Sequence, residues 1–350
     1  RESRQSRGLG DVYKRQPLIV AELSGNHGGD LSKAFRLVES AIESGADAIK
    51  LQTYKPETIT VESRDDRFLL NSGLWKGRYL HDLYQDAMTP WEWHKPLADR
   101  AKELGSFLFS SPFDESAVEF LESTLDPIIH KVASFELNHF PLLEKIGETK
   151  KMVFASVGVS SIDEIDRALE TLKAFGCPQV VLLHCVSEYP AHARDFNLAS
   201  MLELKKRYAD FVGLSDHSPG HTIAVSSTAL GARVIEKHFT LDRNDNSIDG
   251  AFSMLPNEFK NLVDEVKIAH LAMGDSQFYN LKKELKSANF KRSILVSSII
   301  KKGEMLTPDN IRVARPGDGL CPSLWKHALG CRAKKDMQVG YPLSLNDFTE

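Results

Sequence analysis

The sequence predicts an α/β fold, a (β/α)8 TIM barrel followed by a small β-rich C-terminal domain. Short apolar, strand-like runs recur along the first three quarters of the chain. Helix-like stretches separate them, and polar or charged residues follow each run directly. Near residue 274 the composition turns polar and lysine-rich, after which short β-like runs alternate with glycine turns. Alternating strands and helices of this length imply right-handed βαβ units around a parallel sheet.

Residues 1–16 show no apolar periodicity and are expected to be a non-native or disordered segment, with the fold beginning at Pro17. The first strand is expected at Leu18-Ile19-Val20, leading to a helix from Leu31 to Ser44. Ala48-Ile49 opens the second strand. The stretch from Tyr54 to the helix beginning near Pro90 far exceeds the roughly 2–6 residues of an ordinary βα loop. It leaves the catalytic face and is expected to shape a substrate site. Helices follow from Trp91 to Leu104, Glu115 to Leu125, Ser161 to Phe175, Leu198 to Tyr208 and Thr222 to Leu230. The intervening strands are expected at Phe107-Leu108-Phe109, Ile128-Ile129, Met152-Val153-Phe154, Val180 to Leu183, Phe211-Val212 and Val234-Ile235. Gly45, Gly105, Gly176 and Gly231 stand at helix-to-strand joins, where tolerance of positive φ ends a helix. A last helix, Pro256 to Met273, completes a barrel domain of residues 17–274. Residues 275–289 read as a linker and residues 290–350 as the small domain, with β-runs at Ser293 to Ser297 and Ile311 to Ala314.

With 350 residues, 42% hydrophobic and 26% charged, the chain has material for one large and one small core. No apolar stretch approaches the roughly 20 residues that span a bilayer, so membrane partners are disfavoured and the cytoplasm is expected. A net charge of -4 argues against nucleic acid as a partner. Cys177, Cys185, Cys321 and Cys331 lack the paired spacing of a disulfide framework or thiolate zinc site. Gly25-Asn26-His27-Gly28-Gly29 lacks the spacing of a dinucleotide fingerprint.

In such a barrel the strand C-termini converge on one face, so residues just past the apolar runs meet in one pocket. Lys50 and Lys131, with the hydroxyls of Ser111, Ser134, Ser156 and Ser215, can surround a phosphate and a carboxylate. One such lysine alone would be read as snorkelling to solvent. Two on the same face point to a small anionic substrate. His217 and His238 follow the seventh and eighth strands and make a divalent-metal pair; Asp216 and Glu236 are expected to orient their rings. His27 ranks third as a ligand or a helix-start orienter. Glu22 and Glu136 are either ion-paired with the lysines or engaged in proton transfer and charge stabilisation. These features fit aldol-type condensation, isomerisation or phosphoester hydrolysis.

Seven motifs in order extend the reading. Ala21-Glu22-Leu23-Ser24-Gly25-Asn26-His27-Gly28-Gly29, Lys50-Leu51-Gln52-Thr53, Ser110-Ser111-Pro112-Phe113-Asp114, Lys131-Val132-Ala133-Ser134-Phe135-Glu136, Leu183-His184-Cys185-Val186-Ser187-Glu188-Tyr189-Pro190, Gly213-Leu214-Ser215-Asp216-His217 and Glu236-Lys237-His238-Phe239 resemble the sialic acid synthase family of nonulosonate synthases. The C-terminal region, with Lys291-Arg292-Ser293-Ile294 and Arg315-Pro316-Gly317-Asp318-Gly319, is similar to that family's antifreeze-like (SAF) domain.

The resemblance implies condensation of phosphoenolpyruvate with an amino-sugar aldehyde, loss of phosphate, and a nine-carbon 2-keto acid. It places Lys50, Ser111, Lys131, Ser134, Ser156, Ser187 and Ser215 on phosphoenolpyruvate. Gln52, Tyr189, Asp249 and Arg315 fall on the sugar, and Glu22 and Glu136 in catalytic roles. His217 and His238 would bind a divalent metal, Mn2+ ahead of Mg2+ or Co2+. Arg315 would reach from one subunit into its neighbour's barrel, implying a domain-swapped homodimer. Ser111, Phe135 and Ser187 depart from the Thr, Gly and Asn usual in sialic acid synthases. Trp75-Lys76-Gly77-Arg78 and Thr89-Pro90-Trp91-Glu92-Trp93-His94 resemble the branch acting on a trideoxy sugar, and the apolar bulk of Phe135 is expected to suit it. The rivals are the sialic or legionaminic branch, with the same chemistry, and a non-catalytic carbohydrate-binding protein.

Overall fold

Because side chains alternate between the two faces of a strand, a barrel sorts each strand into residues that fill its interior and residues that face its helices. The computed structural model describes residues 16–208, 211–245, 247–274 and 287–349. In it β1 (Leu18–Glu22), β2 (Ala48–Thr53), β3 (Phe107–Pro112), β4 (Ile129–Val132), β5 (Met152–Ser156), β6 (Val180–Cys185), β7 (Val212–Asp216) and β8 (Ala232–His238) close into a parallel barrel. They pair in sequence order, and β1 meets β8 with Glu22 opposite His238.

The barrel floor is an apolar plug of Leu18, Val20, Ala48, Phe109, Ile129, Phe154, Val181, Leu183 and Val234. Gly213 belongs here because a Cβ would stand 2.5 Å from Leu183 Cδ2 and 2.6 Å from Val234 O. The alternate residues, including Ile19, Ile49, Leu108, Val153 and Leu182, join the larger core beneath the surrounding helices. Local signals set the helix starts. Asp114 accepts from Ser116 N and Ala117 N, and Ser161 forms a reciprocal capping box with Glu164.

Several expectations shift. Ile128 lies outside β4 and is exposed. The helix Phe140–Glu148, after β4, was not expected from the sequence. The long connection after β2 carries the short helices Pro56–Ile59 and Leu80–Ala87. Most of the expected linker, residues 275–286, and residues 1–15 of the N-terminal segment lie outside the described residues.

The chain divides into two compact units between Gly274 and Asp275. In the C-terminal unit β9 (Ser293–Val296) pairs antiparallel with β10 (Ile311–Ala314), and β11 (Arg332–Ala333) with β12 (Phe348–Thr349). Its own core contains Ile294, Val296, Ile300, Leu306, Ile311, Met337, Leu343 and Phe348. Among the described residues, no helix is long and apolar enough to cross a membrane.

Candidate active site

The inward positions immediately above the plug are polar. Lys50 Nζ stands 2.8 Å from Glu22 Oε2 and 3.4 Å from Glu236 Oε1. Lys131 Nζ lies 3.7 Å from that same Glu236 oxygen. Ser215 Oγ donates to it at 3.1 Å, and Lys50 Nζ donates to Ser111 Oγ at 3.3 Å. Burial works against charging Lys50, but Glu22 and Glu236 outweigh it and hold its pKa above the ordinary lysine value. For Lys131 burial wins over Glu236 and the pKa falls. Burial likewise opposes ionising Glu236, yet Lys131 and Lys50 keep its pKa low. Glu22 is pushed up by burial, offset only in part by Lys50. Two buried lysines thus converge on the Glu236 carboxylate, a cationic cluster suited to an anion.

Further polar groups end or follow the neighbouring strands β4 to β6. Ser156 Oγ is buried with no hydrogen-bond partner, and Ser134 Oγ meets Ser187 Oγ at 2.7 Å. Glu136, in the turn after β4, has a buried Oε2 with no partner, and burial lifts its pKa to about 7.

His217 and His238 project from adjacent strand ends, with ring centroids 5.4 Å apart. His217 Nδ1 donates to Val186 O at 2.8 Å, which leaves Nε2 with its lone pair. His238 Nδ1 is buried without a hydrogen-bond partner and lies 3.8 Å from Asp249 Oδ2. Burial, then His217 and Lys50, hold the His238 pKa well below the ordinary imidazole value, so the ring is neutral as a metal ligand requires. Burial opposes charging His217, but Cys185 and the Val186 carbonyl outweigh it and raise its pKa. The orphaned nitrogen and the two neutral-capable rings fit a divalent ion. Among the described residues no group of three or more His, Cys, Asp or Glu forms a metal cage, so such an ion would keep positions for water and substrate oxygens.

The expected carboxylate orienters are corrected, Asp216 by strand alternation and Glu236 by the lysines that claim it. Asp216 points outward and pairs with Lys237 at 2.8 Å, and Glu236 serves the lysines; neither holds a histidine ring. His27 is a loop orienter: Gly29 N donates to its Nδ1 at 3.1 Å and Nε2 meets Thr89 Oγ1 at 3.2 Å. His184, bound to Phe196 O, and Ser110, bound to Thr53, face the outer layer.

Beside the histidines, Gln52 Nε2 donates to Glu22 Oε1 at 2.9 Å and to Ser24 Oγ at 3.1 Å, and Ser24 Oγ donates to Asp249 Oδ2. Burial lifts the Asp249 pKa to about 6 against that bond. Tyr189 stacks on His217 at 4.4 Å, with Phe252 at 5.3 Å and Trp75 at 5.6 Å. Trp75 Nε1 donates to Ile248 O at 2.9 Å. The apolar wall near the histidines is therefore Trp75, Tyr189 and Phe252, while Phe135 is 56% exposed. Arg315 follows β10 in the C-terminal unit. Sequence reasoning missed Glu236 as a lysine counter-ion, Trp75 and Phe252 as wall, and Ser24. Only Glu236 had a signal, its place two residues before His238 on one strand face.

Residues 37–278 match the NeuB family and residues 291–349 the SAF domain. The pseudaminic acid synthase of Campylobacter jejuni is 42% identical over 334 residues, 95% of this chain and 97% of that relative. The pseudaminic acid synthase of Helicobacter pylori is 42% identical over 333 residues, 95% and 98% of the two chains. A crystal structure of the N-acetylneuraminic acid synthetase of Leptospira borgpetersenii superposes with a TM-score of 0.70 at 32% identity, covering 78% of this chain and 90% of that one. The chain belongs to the NeuB family.

Proposed function

We propose that the barrel condenses phosphoenolpyruvate with 2,4-diacetamido-2,4,6-trideoxy-L-altrose, giving pseudaminic acid and phosphate. The carrying observation is the juxtaposition of a two-lysine anion cradle with the His217 and His238 pair in one barrel mouth. Relatives named for this product, matched over nearly the full chain, support the choice of sugar. The wall of Trp75, Tyr189 and Phe252 suits a sugar bearing a methyl group where others carry a hydroxyl.

Lys50 and Lys131, with Ser111, Ser134, Ser156, Ser187 and Ser215, hold the phosphate and carboxylate of phosphoenolpyruvate and fix its plane. A divalent ion on His217 and His238, Mn2+ first and Mg2+ or Co2+ as alternatives, would supply Lewis-acid polarisation of the sugar aldehyde. Gln52, Asp249 and Tyr189 orient the open-chain sugar so that its C1 faces C3 of phosphoenolpyruvate. As the C3–C1 bond forms, positive charge develops at C2, where the buried carboxyls Glu22 and Glu136 provide electrostatic stabilisation. Water adds at C2, one proton passing through one of those carboxyls to the oxygen of the former aldehyde; the new C2 hydroxyl then gives its proton to the departing phosphate as the C2–O bond to it breaks, leaving the C2 ketone. Arg315 of one subunit reaching a neighbour's barrel, in a domain-swapped homodimer, completes the proposal, and a cytoplasmic location goes with it.

The test is phosphate release from phosphoenolpyruvate with Mn2+, comparing the altrose derivative, N-acetylmannosamine and no sugar, with product masses read in parallel. Release confined to the altrose derivative is expected. Release with N-acetylmannosamine at an equal rate would move the chain to the sialic branch, and no release with any sugar would favour a non-catalytic role. Lys131→Ala and His217→Ala are each expected to abolish turnover.

A further inference from the structure

Ser24 holds a left-handed backbone, φ +44°, where a glycine would meet no steric cost. Serine in that region is strained, and such strain persists where the surroundings impose it and function uses it. The surroundings here do impose it. Leu23 N donates to Lys50 O at 3.1 Å and Asn26 N to Leu23 O at 3.0 Å. Asn26 Nδ2 donates to Phe239 O at 2.9 Å and to Ser253 Oγ at 2.8 Å. Gly25 lies so close to the Leu80–Ala87 helix that a Cβ would stand 3.0 Å from Ala87 Cα.

The strained residue is 3% exposed and its hydroxyl is used twice. It accepts from Gln52 Nε2 at 3.1 Å and donates to Asp249 Oδ2. Gln52 Nε2 also donates to Glu22 Oε1 at 2.9 Å. Both amide hydrogens of Gln52 are thereby committed, and its carbonyl oxygen is the atom left for a ligand. Glycine would satisfy the backbone more cheaply; only the hydroxyl explains the serine.

We propose that Ser24 is a positioning residue for the sugar: its hydroxyl bridges Gln52 and Asp249 and sets the orientation of these two polar groups. The inference rests on the reading that Gln52 and Asp249 face the amino-sugar aldehyde. A hydroxyl fixed in a buried, strained turn gives the pair a single arrangement, against which the hydroxyl and acetamido groups of one sugar can be selected.

Ser24→Gly and Ser24→Ala both remove the hydroxyl, but only glycine accepts φ +44° without strain, so the two separate positioning from stability. Ser24→Gly is expected to melt above Ser24→Ala. Both variants should show the same rise in the sugar KM, about tenfold, with the KM for phosphoenolpyruvate within about twofold of wild type. Crystal structures of both should show Gln52 and Asp249 reoriented on an unchanged backbone at residues 23–27. Wild-type sugar KM in Ser24→Gly, or Gln52 and Asp249 unmoved in its structure, would overturn the proposal. So would activity losses that rank with melting temperature and fall on both substrates alike. If the wild type turns over no sugar, the functional reading fails, and the variant structures still decide whether Ser24 positions the pair.

Discussion

Glu136 is a carboxyl kept where ionisation is costly. Burial raises its pKa from the ordinary 4.5 to about 7, and its Oε2 has no partner. Near neutral pH both protonation states are populated, as a proton-transferring group requires. A folded-state pKa above the unfolded one means that folding binds a proton, so the associated stability is complete below pH 4.5 and is lost as pH rises through 7. Glu136→Gln removes that titration. The variant should therefore gain on wild type as pH rises, approaching about 3 kcal/mol above neutrality and shrinking toward pH 5. Urea unfolding at both ends of that range checks it, and a gap independent of pH would assign the buried titration elsewhere. Residues of this kind were legible in the sequence wherever an inward position follows an apolar one: Glu22 after Val20, Lys50 after Ala48, Lys131 after Ile129, Ser156 after Phe154. Glu236 shares the inward face of β8 with His238, but its carboxylate is taken up by Lys50 and Lys131, a cross-strand pairing that spacing within one strand does not reveal. Ser24 was not legible at all, since a backbone dihedral in a loop leaves no periodic trace.

The strands and most helices were legible for the same reason, their apolar spacing being dictated by the plug and the outer core. The Phe140–Glu148 helix is short and carries Pro141 and Gly147, which weaken its periodic signal, although proline at the first turn is a starting signal. The long connection after β2 was visible as excess length and as two motifs, Trp75 to Arg78 and Thr89 to His94, but not in its course. Its place is decided by contacts no periodicity encodes: the Trp75 hydrogen bond to Ile248 O and its packing on Tyr189. Trp75→Ala removes both while leaving barrel and plug untouched. The sugar KM is expected to rise about tenfold, with phosphoenolpyruvate KM and melting temperature little changed, as for loss of a peripheral aromatic contact. Steady-state kinetics with each substrate varied in turn decides it. Equal losses on both substrates would show that the connection supports the whole barrel mouth instead of the sugar side.

At the scale of the molecule, the residues proposed to act on the substrates are divided between units with separate cores: Lys131 lies in the barrel, and Arg315 follows β10 in the C-terminal unit. If Arg315 serves the neighbouring subunit's barrel, the two lesions complement each other. An Arg315→Ala chain keeps an intact barrel, and a Lys131→Ala chain keeps an intact C-terminal unit. Each alone is expected to be nearly inactive. Co-expressed in equal amounts and dimerising at random, half of the dimers are mixed, and each mixed dimer has one site with both Lys131 and Arg315. Turnover should therefore return to about a quarter of wild type under twofold symmetry, and to about half in mixed dimers purified through two different tags. Should Arg315 act on its own barrel, every site in every mixture carries one lesion or the other, and no proportion of the two chains restores activity. Because both outcomes are read from turnover of the same assembled protein, a folding defect in either variant is exposed beforehand by its failure to co-purify with the other.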